Sequence, residues 1–270
     1  MNPRALNPMS TSEVPLPQAP LARVIAQIRF PSILAVHNPD MVAKFQEKHR
    51  HDYPFLTQDH VHSIELVGDQ TPNVHHGIVW RLADQENAIW RLSLGVDFVA
   101  LETSSYDSRS DFLNRLDAVV SSVEQIFKPV SASRIGLRYI DRLTDGAVDR
   151  IGELIQPGIL GIMKPSGSPE LMLGDSVIHQ ITETQFLAPE SARIQGRWGL
   201  LPANMTYDPD ALEPIAKKSW ILDLDMFKMK SHPFSSEAIL TTTTDFAECL
   251  HWLFRQMVTE EFLRFYGGLQ

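Results

Sequence analysis

A single cysteine, Cys249, serves the 270 residues, so no disulfide can form within the chain. It falls in the apolar pattern of Phe246, Leu250 and Leu253, and no electropositive cluster surrounds it, so a buried inert thiol is expected. One thiol suits a reducing compartment, and the expected location is cytoplasmic. No run of ~18 apolar residues exists that could cross a membrane as a helix. The N-terminus lacks the apolar stretch of a secretory signal. Catalytic fingerprints are missing too. There is no G-x-S-x-G elbow, no G-x-x-x-x-G-K-[ST] phosphate loop, no G-x-G-x-x-G after a strand and no H-E-x-x-H helix. No cofactor is therefore expected.

Lysine is scarce beside arginine, 8 against 16, and 33 acidic residues outweigh all 24 basic ones for a formal charge of −9. That balance disfavours a protein that coats nucleic acid or anionic membrane with its whole surface, while leaving room for a local basic groove. Hydrophobic residues at 43% suffice for a core without metals.

The pattern reads as α+β. Residues 1–19 carry Pro3, Pro8, Pro15 and Pro17 among Ser, Thr and Asn, and are expected to be a flexible arm. Arg23–Phe30 alternates as a strand, and Met41, Val42, Phe45 and His49 space as a helix that starts near Pro39. Strands are expected at His62–Val67, Gly77–Leu82, Ala88–Leu94 and Val96–Thr103, with Gly68, Pro72, Asn87 and Gly95 in the turns. Phe112 to Phe127 then spaces as a long amphipathic helix. The second stretch reads as a strand Ser133–Leu143 and a short helix Val148–Ile155. An irregular loop runs from Pro157 to Pro169, followed by strands Ser176–Phe186, Ala192–Leu200 and Trp220–Lys230. A helix over Asp245–Phe265 closes it, with N-cap candidates in Thr241–Thr244. Halves 20–130 and 131–270 thus share one order: strand, short helix, antiparallel meander, long covering helix. Duplication is one reading of that parallel. The order is also that of the TATA-binding-protein-like topology, an analogy that carries no function.

Candidate binding residues come from strand alternation. Arg23, Gln27 and Arg29 share one face of the first strand. Arg134, Arg138 and Arg142 share a face with Gly136, where a ligand backbone could approach closely. Arg193, Gln195 and Arg197 share a third, and Arg81 and Arg91 add two more guanidinium groups. Arginine forks match carboxylate and phosphate geometry. The competing expectation is an ion-paired solvent face, with Glu102, Asp141, Asp223 and Asp225 as available partners. Six of the ten histidines lie between positions 49 and 76, and His60 and His62 have a usable metal spacing. No third ligand stands at a defined spacing, so no metal is expected. Asp223 and Asp225 place two carboxylates on one strand face. Trp80, Trp90, Trp198 and Trp220, one per strand, read as packing.

The string RIGLRYIDR at Arg134–Arg142 resembles the arginine–glycine strand of a sporadically distributed, uncharacterised bacterial protein family of about this length. The segments Pro20–Pro31, Tyr53-Pro54 and Leu101–Tyr106 extend the resemblance over Pro20 to Phe265. It implies no catalytic residue. The family's patchy occurrence implies an accessory role in a defence or mobile cassette.

Three functions are compatible with these residues. The first is a non-enzymatic module that binds a partner protein or peptide through an arginine-lined sheet face. The second is a nucleic-acid binder that uses the same strands. The third is a metal-assisted enzyme on phosphate-bearing small molecules, with Asp223 and Asp225 as ligands.

Overall fold

The computed structural model describes residues 4–9, 14–65, 73–163 and 176–268, with the backbone alone at 61–65 and 73–76. The fold is α+β. Nine strands hydrogen-bond into one sheet, and a pair of two-residue strands stands apart. The elements in order are β1 (Leu21–Arg29), α1 (Pro39–His49), β2 (Phe55–Glu65), β3 (Asn73–Ala83), β4 (Trp90–Gly95), β5 (Phe98–Thr103) and α2 (Arg109–Ile126). Then come β6 (Ser131–Ala132), β7 (Arg134–Thr144), α3 (Gly146–Asp149), α4 (Ile151–Leu154), α5 (Pro157–Leu160), β8 (Gln180–Leu187) and β9 (Arg193–Leu201). The chain ends with β10 (Ser219–Lys228), β11 (His232–Pro233), α6 (Ser236–Met257) and α7 (Glu260–Phe265). The strand order in the large sheet is β2-β3-β4-β5-β1-β7-β10-β9-β8.

Two compact units divide the chain: Ile25–Leu137 with Lys228–Thr244, and Met1–Val24 with Arg138–Phe227 and Asp245–Gln270. The first unit holds an antiparallel meander in which β2 pairs β3, β3 pairs β4 and β4 pairs β5. Helices α1 and α2 begin where local chemistry allows. Asn38 caps α1 by accepting from the Asp40 amide at 2.9 Å, with Pro39 at the first helical position. Ser108 caps α2 by accepting from the Asp111 amide at 3.1 Å. Val42, Phe45, Leu116, Val120 and Val123 of these helices are buried, as are Ala26, Ile28, Leu92, Leu94 and Leu101 of the strands. The Lys228–Thr244 stretch belongs to this unit through contacts that no local pattern announces. Strand β11 pairs antiparallel with β6, and the Ser236 amide donates to Glu124 at 3.0 Å.

In the second unit β9 pairs antiparallel with both β10 and β8. Ile194, Trp198, Leu222, Leu224 and Met226 of these strands are buried, with Phe246, Leu250 and Leu253 of α6 and Phe262 and Leu263 of α7. Residues Pro202–Lys218 form an irregular segment between β9 and β10.

Several element boundaries differ from the sequence reading. Strand β2 begins at Phe55, directly after Pro54, seven residues ahead of the expected start. The polar residues Thr57, Gln58 and Asp59 hid it, because an edge strand need not alternate cleanly. The turn expected at Gly68 and Pro72 lies outside the described residues, as do residues 66–67 of that strand and the loop positions Pro165, Gly167 and Pro169. The expected helix Val148–Ile155 is two short turns, α3 and α4, broken at Arg150. The last helix begins nine residues before Asp245, so Thr241–Thr244 are not its cap. Each threonine hydroxyl instead donates to the carbonyl four residues back, at 2.8–2.9 Å. That bond satisfies β-branched hydroxyls inside a helix and makes a run of four tolerable there. The helical stretch also ends and restarts. Thr259 caps α7 by accepting from the Phe262 amide at 3.2 Å.

Of the expected arm, described residues touch the second unit. The Leu6 amide donates to the Leu187 carbonyl at 2.8 Å, and the Gln18 amide to the Tyr266 carbonyl at 3.3 Å.

Candidate functional site

The candidate residues fall into two groups, one per unit. In the first unit Arg29 reaches Asp97 at 3.4 Å and Gln27 at 3.4 Å. Arg134 donates to the Gln27 side chain at 3.3 Å. Its guanidinium lies over Gly136, in the space a Cβ would take, so that glycine is covered by its own strand neighbour rather than open to a ligand backbone. Arg81 pairs with Asp59, and Arg91 pairs with its cross-strand neighbour Glu102 at 3.0 Å.

The second unit gathers the denser group. Register sets it up: Arg197 of β9 stands opposite Asp223 of β10 on one side and Glu183 of β8 on the other. Arg197 pairs with Glu183 at 2.9 Å and with Asp223 at 3.6 Å. Asp223 is 0% exposed. Its two oxygens accept side-on from Arg138, Nε to Oδ1 and Nη2 to Oδ2, both at 2.8 Å. The Tyr207 hydroxyl donates to Oδ2 at 2.9 Å, and Arg138 Nη1 donates to Asp208 at 2.8 Å. Tyr207 and Asp208 come from the Pro202–Lys218 segment, which therefore covers this part of the polar sheet face.

Sequence alternation found the arginines but missed this cover. Its one visible signal is Ile140, an apolar residue set between Arg138 and Arg142 on the same face and wholly buried. The cover explains the electrostatics. Burial pulls the Arg138 pKa down, but hydrogen bonds and charge from Asp223 outweigh it and raise it. Burial and then the Asp223 charge push the Tyr207 phenol up. Asp223 is thus an internal anchor for two arginines and a tyrosine. As a metal ligand it would first have to shed them. Among the described residues no three His, Cys, Asp or Glu side chains stand where they could share a metal ion.

Arg142 is the exception. It lies four residues beyond Arg138 on the same strand face and is half-buried. Its Nε and Nη2 are shut off from solvent and have no hydrogen-bond partner among the described residues. Burial lowers its pKa, with Tyr207 and Glu213 opposing that effect. Arg193 is exposed at the end of β9, with one long contact to Gln185 at 3.5 Å. Arg23 is half-buried and engaged.

Asp141, offered by the sequence as an arginine partner, faces the other way. Alternation turns it to the same side as Tyr139 and Leu143, where it is 8% exposed. Burial pushes its carboxyl up to about 7. Cys249 is buried, and burial lifts its thiol to about 11, as suits an inert side chain. The tryptophans pack. Trp220 and Trp90 are buried, Trp80 donates to the Val36 carbonyl at 2.9 Å, and Trp198 to the Ile159 carbonyl at 2.9 Å. No described helix is long and apolar enough to cross a membrane.

No protein-family model matches the chain, and no curated protein sequence is similar to it.

Proposed function

We propose that the protein is a non-enzymatic binding module that recognises an acidic partner protein or peptide on the polar sheet face of its second unit. The reading rests on Arg142. Arg29, Arg81, Arg91, Arg138 and Arg197 each pair with a carboxylate of the chain itself. Those pairs offset the guanidinium charges and leave little to offer a ligand. Arg142 keeps a guanidinium fork without an acceptor among the described residues, and an unfilled buried donor is costly enough that a use for it is expected. The formal charge of −9 favours a selective acidic contact at one point over a polyanion spread across the surface. An accessory role in a defence or mobile cassette fits such a module.

Fluorescence anisotropy with labelled peptides and oligonucleotides tests the reading. At ~50 mM salt an acidic peptide should saturate the protein, while single- and double-stranded oligonucleotides leave the signal flat. A flat acidic-peptide titration overturns it. Saturable oligonucleotide binding, steeply weakened by salt, moves the assignment to nucleic acid.

A further inference from the structure

We infer that Arg142 is the receptor for a single ligand carboxylate, held side-on by Nε and Nη2 as Arg138 holds Asp223. The inference rests on the proposed binding function and names its contact point. Arg138 displays the geometry: Nε and Nη2 each donate at 2.8 Å to one oxygen of the same carboxylate. Arg142 offers the same two atoms, on the same face of the same strand, and both lack an acceptor among the described residues.

Nothing nearby among the described residues fills that fork. Asp208 and Asp223 are taken by Arg138. Glu213 contributes charge to Arg142 but forms no ion pair with it, and its side chain is exposed. A carboxylate fits better than a phosphate dianion. Glu213 already sets negative charge against Arg142, which a dianion meets more strongly than a monoanion, and two parallel N–H donors match two carboxylate oxygens. Because both donor atoms are closed to solvent, the ligand enters only as the side chains above them give way.

The test uses the whole chain labelled with 15N-arginine. The Arg142 Nε–H resonance is assigned by its loss in Arg142→Lys. Sodium acetate and a hexaglutamate peptide should each shift that resonance saturably and leave the Arg138 resonance in place. In anisotropy with the fluorescein-labelled peptide, Arg142→Lys keeps the charge but loses the fork, and should bind at least tenfold more weakly. A resonance that acetate and peptide leave unmoved overturns the inference and means water or Glu213 fills the fork. A larger shift with inorganic phosphate overturns the carboxylate assignment. Peptide binding unchanged in Arg142→Lys sinks the inference and leaves the binding function standing. Peptide binding to neither protein sinks the function itself. If Arg142→Lys fails to fold, Arg142→Gln supplies both the assignment and the binding comparison, with the same expected and contrary results.

Discussion

Asp141 and Arg142 are adjacent, oppositely charged and unable to pair, because successive strand side chains leave by opposite faces. Each therefore meets its own surroundings alone, and each has a measurable signature. The Asp141 carboxyl titrates at about 7 when folded, against an ordinary aspartate value of 3.8. The folded state thus holds a proton that the unfolded chain releases. Its contribution to stability is full below pH 4 and is lost as pH rises toward 7, with an upper bound of about 4 kcal/mol. His49 runs the other way. Burial takes its pKa down from 6.5 to about 4, so its contribution is full above pH 6.5 and is lost as pH falls toward 4. In the wild-type protein the two slopes oppose each other between pH 4 and 6.5. Urea denaturation of Asp141→Asn should therefore show stability that rises with pH over that range, and His49→Gln stability that falls. Two variants with the wild-type pH profile would contradict the burial of both groups. Arg138 gives a third expectation. Arg138→Met strands Asp223 without its side-on partner and should cost about 3–5 kcal/mol. Adding Asp223→Leu should restore most of that loss, and denaturant midpoints would show it.

At the scale of elements, caps and close approaches decide where strands and helices sit. Gly199 has φ of +147°, and a Cβ there would run into the Gln180 carbonyl oxygen across the β8–β9 ladder. Gly199→Ala should cost about 1–3 kcal/mol and loosen the pairing that holds Glu183 against Arg197. Faster amide exchange across β8 and β9 would report it. Thr259 works twice: it accepts from the Phe262 amide and its hydroxyl donates to the Glu153 carbonyl at 2.6 Å. Thr259→Ala should therefore cost about 1–2 kcal/mol by calorimetry. Helices α1 and α2 could be read from the sequence because Pro39, Ser108 and the apolar spacing mark them locally. The threonine run misled, since a threonine cap and a threonine back-bonded inside a helix share one composition. Strand β2 was hidden by polar edge residues, and β6 and β11 are too short to leave a pattern.

Over the whole molecule, the α+β class and the antiparallel meanders were legible because side-chain alternation and turn residues are local signals. The candidate site was legible only in part. Alternation placed Arg138 and Arg142 on one face of their strand and Arg193 and Arg197 on one face of theirs, and Asp223 was among the carboxylates it offered as partners. It could not show that Pro202–Lys218 folds back, or that Tyr207 and Asp208 close over Asp223, because those contacts join residues far apart in the chain. Nor could it separate the arginines paired with carboxylates from Arg142, whose closed-off Nε and Nη2 have no acceptor among the described residues. Equilibrium urea denaturation of Arg142→Met beside Arg138→Met distinguishes the two kinds of arginine. Removing a guanidinium whose Nε and Nη2 find no acceptor among the described residues should leave the protein as stable as wild type, or up to ~2 kcal/mol more stable. Removing the one bound to Asp223 should cost about 3–5 kcal/mol. Equal losses from both substitutions would mean that Arg142 is one more structural arginine and not a free receptor.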